Sequence, residues 1–540
     1  MSYRPKYLLL FSAILALACL ARFTGLDNRP MHNDEAVNAY KLGTLLETGE
    51  FRYDRNEYHG PLLYYSSRIL AGLIGQADFT SLTESSLRSV TAIFGIGLLF
   101  LLLLLAESLG WVTILSTALL FALAPAMVFY SRDYIHEMLL VFSGMAALVT
   151  VYKYLLSPKI IWALLSGVSL GLMHATKETC IINYAALGIS ALMLIFVLKL
   201  KGQIRPRDKQ YPPWHWLVVL VSAGSTSILF YSSFFSHPEG IIDSITTYQA
   251  YFTRAGADDA HLHPWHYYLD LLVFNPNPSG PAWSELWLLL LSLAGFIMAI
   301  LKKDRKRGDH FIIFAGAYTF LLMIIYSLIS YKTPWNILSC YAGLLLLAGY
   351  ALVRILQLPW AGWLRTGLIA GVLIGGMYWL YTSYSINFRQ SSEPANPYVY
   401  AQAVKDVVEL AEAVSMVALA HPDGRDMRID IIMPDHEYWP LPWYLRNFTH
   451  TAWWDHVDYT QPAAPLIIAA AALEKQLTRK LYELPPPGQR YLYIPLFNSY
   501  KELRPGQEIR AYLRKDIWDH LQGEMMNADQ FGSNGLNASR

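Results

Sequence analysis

The amino-acid sequence contains about eleven apolar stretches, each long enough for a helix that crosses a lipid bilayer. About 20 helical residues cover the roughly 30 Å hydrocarbon layer. The tract 98–105 is almost entirely leucine, which leaves no polar face for water and excludes a surface helix of a soluble protein. We therefore predict an α-helical polytopic membrane protein. The predicted spans are 7–26, 87–106, 111–129, 138–156, 160–176, 181–199, 214–235, 283–301, 311–329, 337–356 and 366–385.

The overall composition agrees with this class. Hydrophobic residues make up 54% of the 540 residues and charged residues only 15%, which is too apolar for an ordinary soluble protein. A net charge of +1 argues against bulk electrostatic binding of nucleic acid. Cys19, Cys180 and Cys340 lie in or beside apolar stretches without metal or disulfide spacing, so we expect three small core residues.

Basic residues predict the orientation in the membrane. Cytoplasmic loops are enriched in Lys and Arg, and counting spans puts three basic clusters on one face. We predict a plasma-membrane protein with a cytoplasmic N-terminus and with the first loop, residues 236–282 and the C-terminal region outside. The basic clusters are Arg4 and Lys6; Lys199, Lys201, Arg205, Arg207 and Lys209; and Lys302, Lys303, Arg305, Lys306 and Arg307.

The first span could instead be a cleaved signal peptide, because Ala16-Leu17-Ala18 has the small-residue pattern of a cleavage site. Its apolar run continues through Ala21, at the upper limit for a signal-peptide core, so we expect the span to be retained. Retention predicts that the long side chain of Arg22 extends to water at the membrane surface.

The chain divides into two predicted domains, a membrane domain over 1–385 and a small extracytoplasmic α/β domain over 386–540. The second region has no spanning segment and is rich in proline near 484–488. A helix near 398–420 and strand-like runs near 428–433, 465–468 and 491–496 alternate, as in an α/β domain. We expect the tail after Asn527 to be disordered.

Two adjacent carboxylates, Asp34 and Glu35, follow the first span within His32-Asn33-Asp34-Glu35. Acids at a membrane surface are costly to place against lipid, so they are candidates for chemistry. The alternative is that they cap the short helix predicted from Ala36 to Leu46, where carboxylates favour the N-terminus.

Single cations occur at three outer junctions, where the charge rule predicts few of them. They are Arg132 within 130–137, Lys177 within 174–179 and Lys332 within 330–336. Cations around a carboxylate suit a substrate with a hydroxyl and a phosphate leaving group, so we predict phosphate binding. The alternatives are local pairing of Arg132 with Asp133 and of Lys177 with Glu178, and a Lys332 that extends to water from a helix end.

These motifs resemble those of the GT-C superfamily of membrane glycosyltransferases, nearest to the protein O-mannosyltransferases and aminoarabinose transferases. The resemblance covers about residues 1–385 and rests on the acidic pair, on Tyr58-His59-Gly60-Pro61-Leu62 and on helix count. More narrowly, Lys332-Thr333-Pro334-Trp335 and Asp435-His436-Glu437-Tyr438-Trp439-Pro440 are similar to a prokaryotic family named for an association with flippase activity.

The resemblance implies a role for four residues. Asp34 is expected to deprotonate the acceptor hydroxyl, and Glu35 to position the acceptor or to tune the pKa of its neighbour. His59 matches a histidine near the donor phosphate, with a hydrogen-bonded interfacial histidine as the alternative. Arg132 resembles an arginine that supports the active site or the phosphate. Gly60 departs from the family pattern, in which a proline is usual.

Histidines elsewhere suggest two weaker hypotheses. His261, His263 and His266, with Asp258 and Asp259, could form a metal site, but their spacing matches no strong ligand signature. A divalent cation therefore stays open and no other cofactor is indicated. For His436 and Glu437 in the outer domain, we predict acceptor recognition or a structural role.

The resemblance implies an inverting glycosyltransferase that uses a polyprenyl-phosphate sugar at the outer membrane face. Lipid, glycan and protein acceptors all stay open, and membrane lipid is a further partner. The alternative is a non-enzymatic accessory protein for flipping or export of polyprenyl-linked glycans. An ion-coupled transporter is less favoured, because the spans carry few ionisable residues at mid-depth.

Overall fold

The computed structural model describes residues 5–56, 59–200, 211–254, 261–358 and 361–523. The chain forms two compact units. The helical unit comprises Met1–Asn28 and Thr44–Tyr400, and the sheet unit comprises Arg29–Gly43 and Ala401–Arg540. Several residues with predicted roles lie outside the described ranges: Arg4, Tyr58, Lys201, Arg205, Arg207, Lys209, Asp258, Asp259 and the tail after Asn527.

Helices dominate the chain up to residue 400. In chain order they are α1 (Pro5–Phe23), α2 (Asn33–Thr48), α3 (Leu62–Ile74), α4 (Glu84–Leu103), α5 (Ala106–Leu109), α6 (Trp111–Leu123), α7 (Pro125–Ser131), α8 (Glu137–Leu156), α9 (Ile160–His174), α10 (Cys180–Leu200), α11 (Trp214–Tyr231), α12 (Glu239–Arg254), α13 (Tyr267–Val273), α14 (Leu286–Leu301), α15 (Arg307–Leu328), α16 (Leu338–Gln357) and α17 (Gly362–Tyr384).

Within the described residues, eight helices are long and apolar enough to cross a membrane: α1, α4, α8, α10, α11, α15, α16 and α17. Helices α6 and α7 together make a ninth such segment, which is bent by 57°. The two remaining predicted spans are the shorter apolar helices α9 and α14. Each predicted stretch therefore forms an apolar helix, and the polytopic helical membrane fold is confirmed.

Burial differs strongly among these helices. Helix α16 packs against α6, α14 and α15 and is almost entirely buried. Helix α17 instead leaves large apolar side chains exposed, among them Leu373, Ile374 and Met377. Such a surface is suited to lipid, which covers apolar side chains as a protein interior does.

The bend between α6 and α7 determines the environment of Arg22. Pro125 lacks an N–H, so the last turn of α6 is left with carbonyls that have no helical donor. The Arg22 guanidinium donates to the Phe121 carbonyl at 2.8 Å and to the Ala122 carbonyl at 2.9 Å. The prediction that Arg22 extends to water is wrong, because this side chain is fully buried against those carbonyls.

The sheet unit contains one mixed β-sheet. Its strands are β1 (Ile429–Ile432), β2 (Thr451–Trp454), β3 (Leu466–Ala470), β4 (Tyr493–Pro495), β5 (Glu502–Arg504) and β6 (Gln507–Arg514), and its helices are α18 (Asp406–Ala420), α19 (Leu441–Tyr444) and α20 (Glu474–Thr478). The strand order is β2-β1-β3-β6-β4, with β5 paired to β6. Strand β1 is parallel to β2 and β3, whereas β6 is antiparallel to its neighbours.

Both faces of this sheet are covered. Ile429 and Ile431 pack with Val414 of α18, whereas Ile432 packs with Leu477 of α20. Alternate residues of a strand point to opposite faces, so all four residues of β1 are buried in a sheet covered on both sides. The one polar residue among them, Asp430, forms an ion pair with Arg428. The predicted C-terminal domain with helices and strands is confirmed.

Candidate active site

Residues 59–62 run beside the connection between α9 and α10 in the helical unit. The Gly60 N–H donates to the Thr176 carbonyl at 3.0 Å, and the Leu62 N–H donates to the Ala175 carbonyl at 2.9 Å. A Cβ atom on residue 60 would lie only 2.3 Å from the Ala175 oxygen. Position 60 therefore requires glycine, where the family pattern has a proline. A proline would clash with the Ala175 oxygen and would lack the N–H that bonds the Thr176 carbonyl.

Glu178 holds His59 in position. Its carboxylate lies 2.8 Å from His59 Nδ1 and accepts a hydrogen bond from the Tyr53 hydroxyl at 2.9 Å. Burial acts to raise the pKa of Glu178, but the charge and hydrogen bond of His59 outweigh it and the pKa is lowered. Glu178 is therefore a carboxylate at neutral pH and keeps a proton on Nδ1 of His59. With 34% of the side chain exposed, the Nε2 edge of His59 is the one available to a ligand.

A buried ion pair between Lys177 and Glu137 lies next to this group. The partner of Lys177 is Glu137, whereas the local alternative predicted Glu178. The buried ring of His136 meets the His59 ring edge-on at 5.2 Å, and its Nε2 contacts the Gly60 carbonyl at 3.1 Å. Burial, with the nearby His59 and Lys177, lowers the pKa of His136 well below its ordinary value. His136 is accordingly neutral and donates to that carbonyl.

A narrow pocket adjoins the Lys177–Glu137 pair. Trp335 and Tyr326 form part of its wall, and its other polar lining residues are Glu137, Lys177, Thr179, Asn336 and Ser339. The pocket therefore carries one charged group of each sign beside uncharged hydrogen-bonding side chains.

Arg132 contacts the C-terminal end of α1. Its Nη1 donates to the Thr24 carbonyl at 2.6 Å and its Nη2 to the Gly25 carbonyl at 3.0 Å, with longer contacts to the carbonyls of residues 21 and 22. The guanidinium also lies 4.8 Å from the centroid of the Phe388 ring. These contacts give Arg132 the role of a helix cap, since the last carbonyls of a helix have no internal donors.

Lys332 is buried between two loops. Its backbone N–H donates to the His261 carbonyl at 2.9 Å. Its side-chain amine donates to the His263 carbonyl at 3.0 Å and to the Ile329 carbonyl. Burial lowers the pKa of this amine. The alternative in which Lys332 extends to water is wrong, because only 1% of the residue is exposed.

Asp34 and Glu35 stand at the start of α2 in the sheet unit and have opposite environments. Glu35 is fully buried, and its Oε2 accepts the His32 N–H at 2.9 Å, as in a capping box. The Asp34 side chain is 55% exposed and lies 4.0 Å from His32 Nδ1. The predicted capping role therefore falls to Glu35, while Asp34 keeps a carboxylate that solvent can reach.

His436 and Glu437 lie in the loop that follows β1, and both are exposed. Asp435 and His436 have φ angles of 56° and 58°, a left-handed conformation that residues other than glycine rarely adopt. Glu437 forms an ion pair with Arg504, which ends β5. This loop is therefore an ordered turn with at least one side chain directed at another part of the same unit.

In the described part of the chain, no group of three or more His, Cys, Asp and Glu side chains is arranged to hold a metal ion. The three histidines of the predicted site have separate neighbours. His261 contacts the Tyr400 hydroxyl, His263 stacks on Tyr267, and His266 Nδ1 lies 2.5 Å from an Asp270 carboxylate oxygen. Asp258 and Asp259 lie outside the described residues.

Four residues of the helical-unit cluster were not predicted as site residues: Tyr53, His136, Glu137 and Glu178. The feature of the sequence that could have identified them is an ionisable or hydroxyl side chain at a junction between apolar stretches. The pairing itself is invisible to local spacing, because Lys177 and Glu137 are 40 positions apart and His59 and Glu178 are 119 apart.

Comparison with known proteins gives a family match and a fold. The family model of dolichyl-phosphate-mannose-protein mannosyltransferases matches residues 12–236, a range that includes Asp34, His59, Arg132 and Lys177. None of the curated proteins matches the chain.

Two solved structures share the fold over most of the chain. ArnT from Cupriavidus metallidurans, bound to undecaprenyl phosphate, has a TM-score of 0.59 at 14% identity, over 94% of this chain and 98% of that one. The oligosaccharyltransferase AglB from Archaeoglobus fulgidus, in complex with an inhibitory peptide and a dolichol-phosphate, has a TM-score of 0.52 at 13% identity, over 88% and 70%. At these identities the likeness concerns the fold.

Proposed function

We propose that the chain is a membrane glycosyltransferase of the GT-C superfamily, as the family match and the likeness in fold suggest, and that it transfers a sugar from a polyprenyl-phosphate donor to an acceptor hydroxyl. Asp34 takes the proton of the acceptor hydroxyl, and the oxygen forms a bond to the anomeric carbon. The bond from that carbon to the phosphate oxygen breaks, and polyprenyl phosphate leaves. One displacement of this kind inverts the anomeric configuration.

The contrast between the two acids supports Asp34 as the base. A general base has to reach the proton that it abstracts. Glu35 is buried and its carboxylate accepts the His32 N–H, whereas the Asp34 carboxylate is more than half exposed. This single observation gives the adjacent acids unequal roles, with Glu35 fixing the helix start from which Asp34 acts.

The donor phosphate is the expected ligand of the helical-unit cluster. Negative charge develops on the leaving phosphate, and preorganised donors stabilise such charge in a site with little water. His59 offers its Nε2 edge while Glu178 holds the opposite side of the ring, and Lys177 lines the adjoining pocket. Arg132 and Lys332 are assigned a supporting role here, because the contacts described for their side chains are with backbone carbonyls and, for Arg132, with an aromatic ring.

The reaction is placed at the outer face of the plasma membrane. The basic loop 302–307 is assigned to the cytoplasmic side by the charge rule, which puts the first loop and the sheet unit outside. The dolichyl-phosphate-mannose family match and the lipid phosphates bound to ArnT and AglB favour a lipid-phosphate donor here too. The peptide bound to AglB keeps a protein acceptor among the candidates, beside lipids and glycans.

The test measures release of polyprenyl phosphate by the full-length protein in lipid nanodiscs, with a panel of radiolabelled polyprenyl-phosphate hexoses and a total membrane extract as the acceptor source. Asp34→Asn is expected to reduce turnover at least 100-fold, within the range for loss of a general base. Glu47→Gln is the matched control, because it makes the same charge change on the exposed side of the same helix. The assay is repeated with EDTA to decide whether a divalent cation takes part.

Three results would contradict the proposal. Undiminished turnover by Asp34→Asn would exclude this residue as the base. Retention of the anomeric configuration in the product would exclude a single displacement. Binding of the lipid phosphate with no turnover of any donor would favour the accessory role in flipping or export.

A further inference from the structure

The segment that carries the acidic pair is built into the sheet unit. The Met31 N–H donates to the Tyr444 hydroxyl at 2.9 Å. The Gln402 side-chain amide donates to the Pro30 carbonyl at 2.7 Å. The Tyr40 ring meets the Trp439 ring edge-on at 6.1 Å. The segment is thus fastened to the C-terminal part of the chain both before and after Asp34.

Arg504 contacts three separate groups through its guanidinium. Its Nη1 lies 2.6 Å from one terminal atom of the Asn33 amide, which is assigned as the oxygen because it faces this donor. Its Nη2 pairs with a Glu437 oxygen, and its Nε donates to the Gln507 side-chain oxygen at 2.9 Å. The nitrogen of the Asn33 amide donates to the Trp439 carbonyl at 3.0 Å. Both ends of the Asn33 amide are therefore fixed by residues of the C-terminal region.

Asn33 is the first residue of α2 and immediately precedes Asp34. Holding its side chain at both ends fixes the orientation of the helix start, and with it the direction of the Asp34 carboxylate. The consecutive left-handed residues Asp435 and His436 produce the sharp turn that precedes Glu437 and Trp439. The turn after β1 and the end of β5 thus jointly supply the groups that hold Asn33.

We infer that Arg504 is a positioning residue for the general base: the C-terminal domain holds Asp34 through an Arg504–Asn33 contact that Glu437 and the Trp439 carbonyl complete. This inference rests on the proposed role of Asp34. It gives Glu437 a function inside the protein, acting through Arg504, where the sequence suggested acceptor recognition. It also gives the domain a part in catalysis that is distinct from binding an acceptor.

The test compares Arg504→Gln and Arg504→Lys in the full-length protein. We expect either change to lower kcat about 10- to 100-fold, the effect of displacing a reacting group by about 1 Å, with the donor KM changed less than twofold. Arg504→Lys is not expected to restore kcat, because a single ammonium group cannot reproduce the planar guanidinium that contacts three acceptor groups at once. Arg510→Gln is the matched control, since Arg510 pairs with Glu474 and Glu508 at the surface of the same sheet.

A double-mutant cycle with Asn33→Ala shows whether Arg504 affects turnover through its contact with Asn33. If the two residues act through one contact, the double variant should lose no more turnover than Arg504→Gln alone. Fully additive losses would overturn the inference. So would a loss that disappears once turnover is normalised to the folded fraction, because that would mark a purely structural arginine.

Hydrogen–deuterium exchange gives a readout that does not depend on turnover. The peptide covering 29–43 should exchange faster in Arg504→Gln than in the wild type and Arg510→Gln. Unchanged exchange there would overturn the inference. Asp34→Asn is measured in parallel, so that an active Asp34→Asn variant contradicts the proposed function, whereas an inactive Asp34→Asn beside a fully active Arg504→Gln contradicts only the positioning role.

Discussion

Glu178 and His59 form a carboxylate–imidazole pair in which one partner is buried and the other reaches solvent. The carboxylate oxygen lies 2.8 Å from Nδ1, and 34% of the His59 side chain is exposed. The Tyr53 hydroxyl donates to the second oxygen of Glu178 at 2.9 Å. A carboxylate held in this way fixes the orientation of the His59 ring and leaves its Nε2 edge directed away from Glu178.

Replacement of Glu178 by glutamine should therefore impair transfer. The amide keeps the size of the side chain but removes the carboxylate that holds Nδ1 of His59. We expect turnover to fall about 10- to 100-fold, because the His59 ring is no longer held in place. The measurement is release of polyprenyl phosphate by the variant and the wild type at neutral pH.

Tyr53→Phe is the control for this variant. It removes one hydrogen bond from Glu178 and leaves the charge, so its effect should be less than about tenfold. Glu178→Gln with turnover equal to that of the wild type would show that the contact between Glu178 and His59 is not needed for transfer.

Most of the fold could be predicted from the sequence, because an apolar run of about 20 residues has few stable alternatives to a membrane helix. The predicted strands near 428–433, 465–468 and 491–496 correspond to β1, β3 and β4. Strands β5 and β6 were not predicted, nor was β2, whose four residues include two tryptophans beside an exposed loop. Short strands of this kind are defined by their neighbours in the sheet, here β1, and not by a local pattern.

The candidate site could be predicted only in part, since charge and position identify residues but not their partners. Lys177 was selected because a cation is unexpected at an outer junction, yet its partner Glu137 comes from a different junction. Arg22 was expected to reach water, because a sequence does not display the carbonyls exposed by the bend at Pro125. The different roles of Asp34 and Glu35 likewise depend on burial. The sequence alone does not reveal which of two adjacent acids is buried.

A Cβ at position 60 should destabilise the protein. In Gly60→Ala the new atom would lie 2.3 Å from the Ala175 oxygen, so the 59–62 segment has to move away from the α9–α10 connection. We expect a loss of roughly 1–3 kcal/mol, as for other overpacked sites, and a larger loss for Gly60→Pro, which also removes the hydrogen bond to Thr176. Thermal unfolding in nanodiscs measures the difference.

The matched control for Gly60 is Gly188 in α10, where a Cβ would meet no atom within 4 Å. Gly188→Ala should leave the unfolding temperature unchanged or raise it, because alanine favours a helix. A Gly60→Ala variant as stable as the wild type would contradict the close approach of the two segments.

Substitution of Arg132 should act on stability more than on donor affinity. Arg132→Met removes the donor to the partly buried carbonyls after α1, which should lower the stability by about 1–3 kcal/mol. The donor KM of the folded fraction should change less than twofold. Arg68→Met is the control, because the guanidinium of Arg68 bonds a single exposed carbonyl, that of Gly49. A normal unfolding temperature with a strongly raised donor KM would instead indicate direct phosphate binding by Arg132.

Acid should destabilise the helical unit through His136. Because burial lowers its pKa in the folded state, the unfolded chain binds more protons below about pH 6.5, and stability falls as the pH falls. Below about pH 6.5, His136 lowers the free energy of unfolding by up to about 1.4 kcal/mol per pH unit. The lowered pKa of Glu178 reduces the free energy of unfolding only below about pH 4.5. His136→Gln keeps an N–H donor for the Gly60 carbonyl, so its unfolding temperature should fall less than that of the wild type between pH 7 and pH 5. Parallel curves for His136→Gln and the wild type would contradict a buried neutral His136.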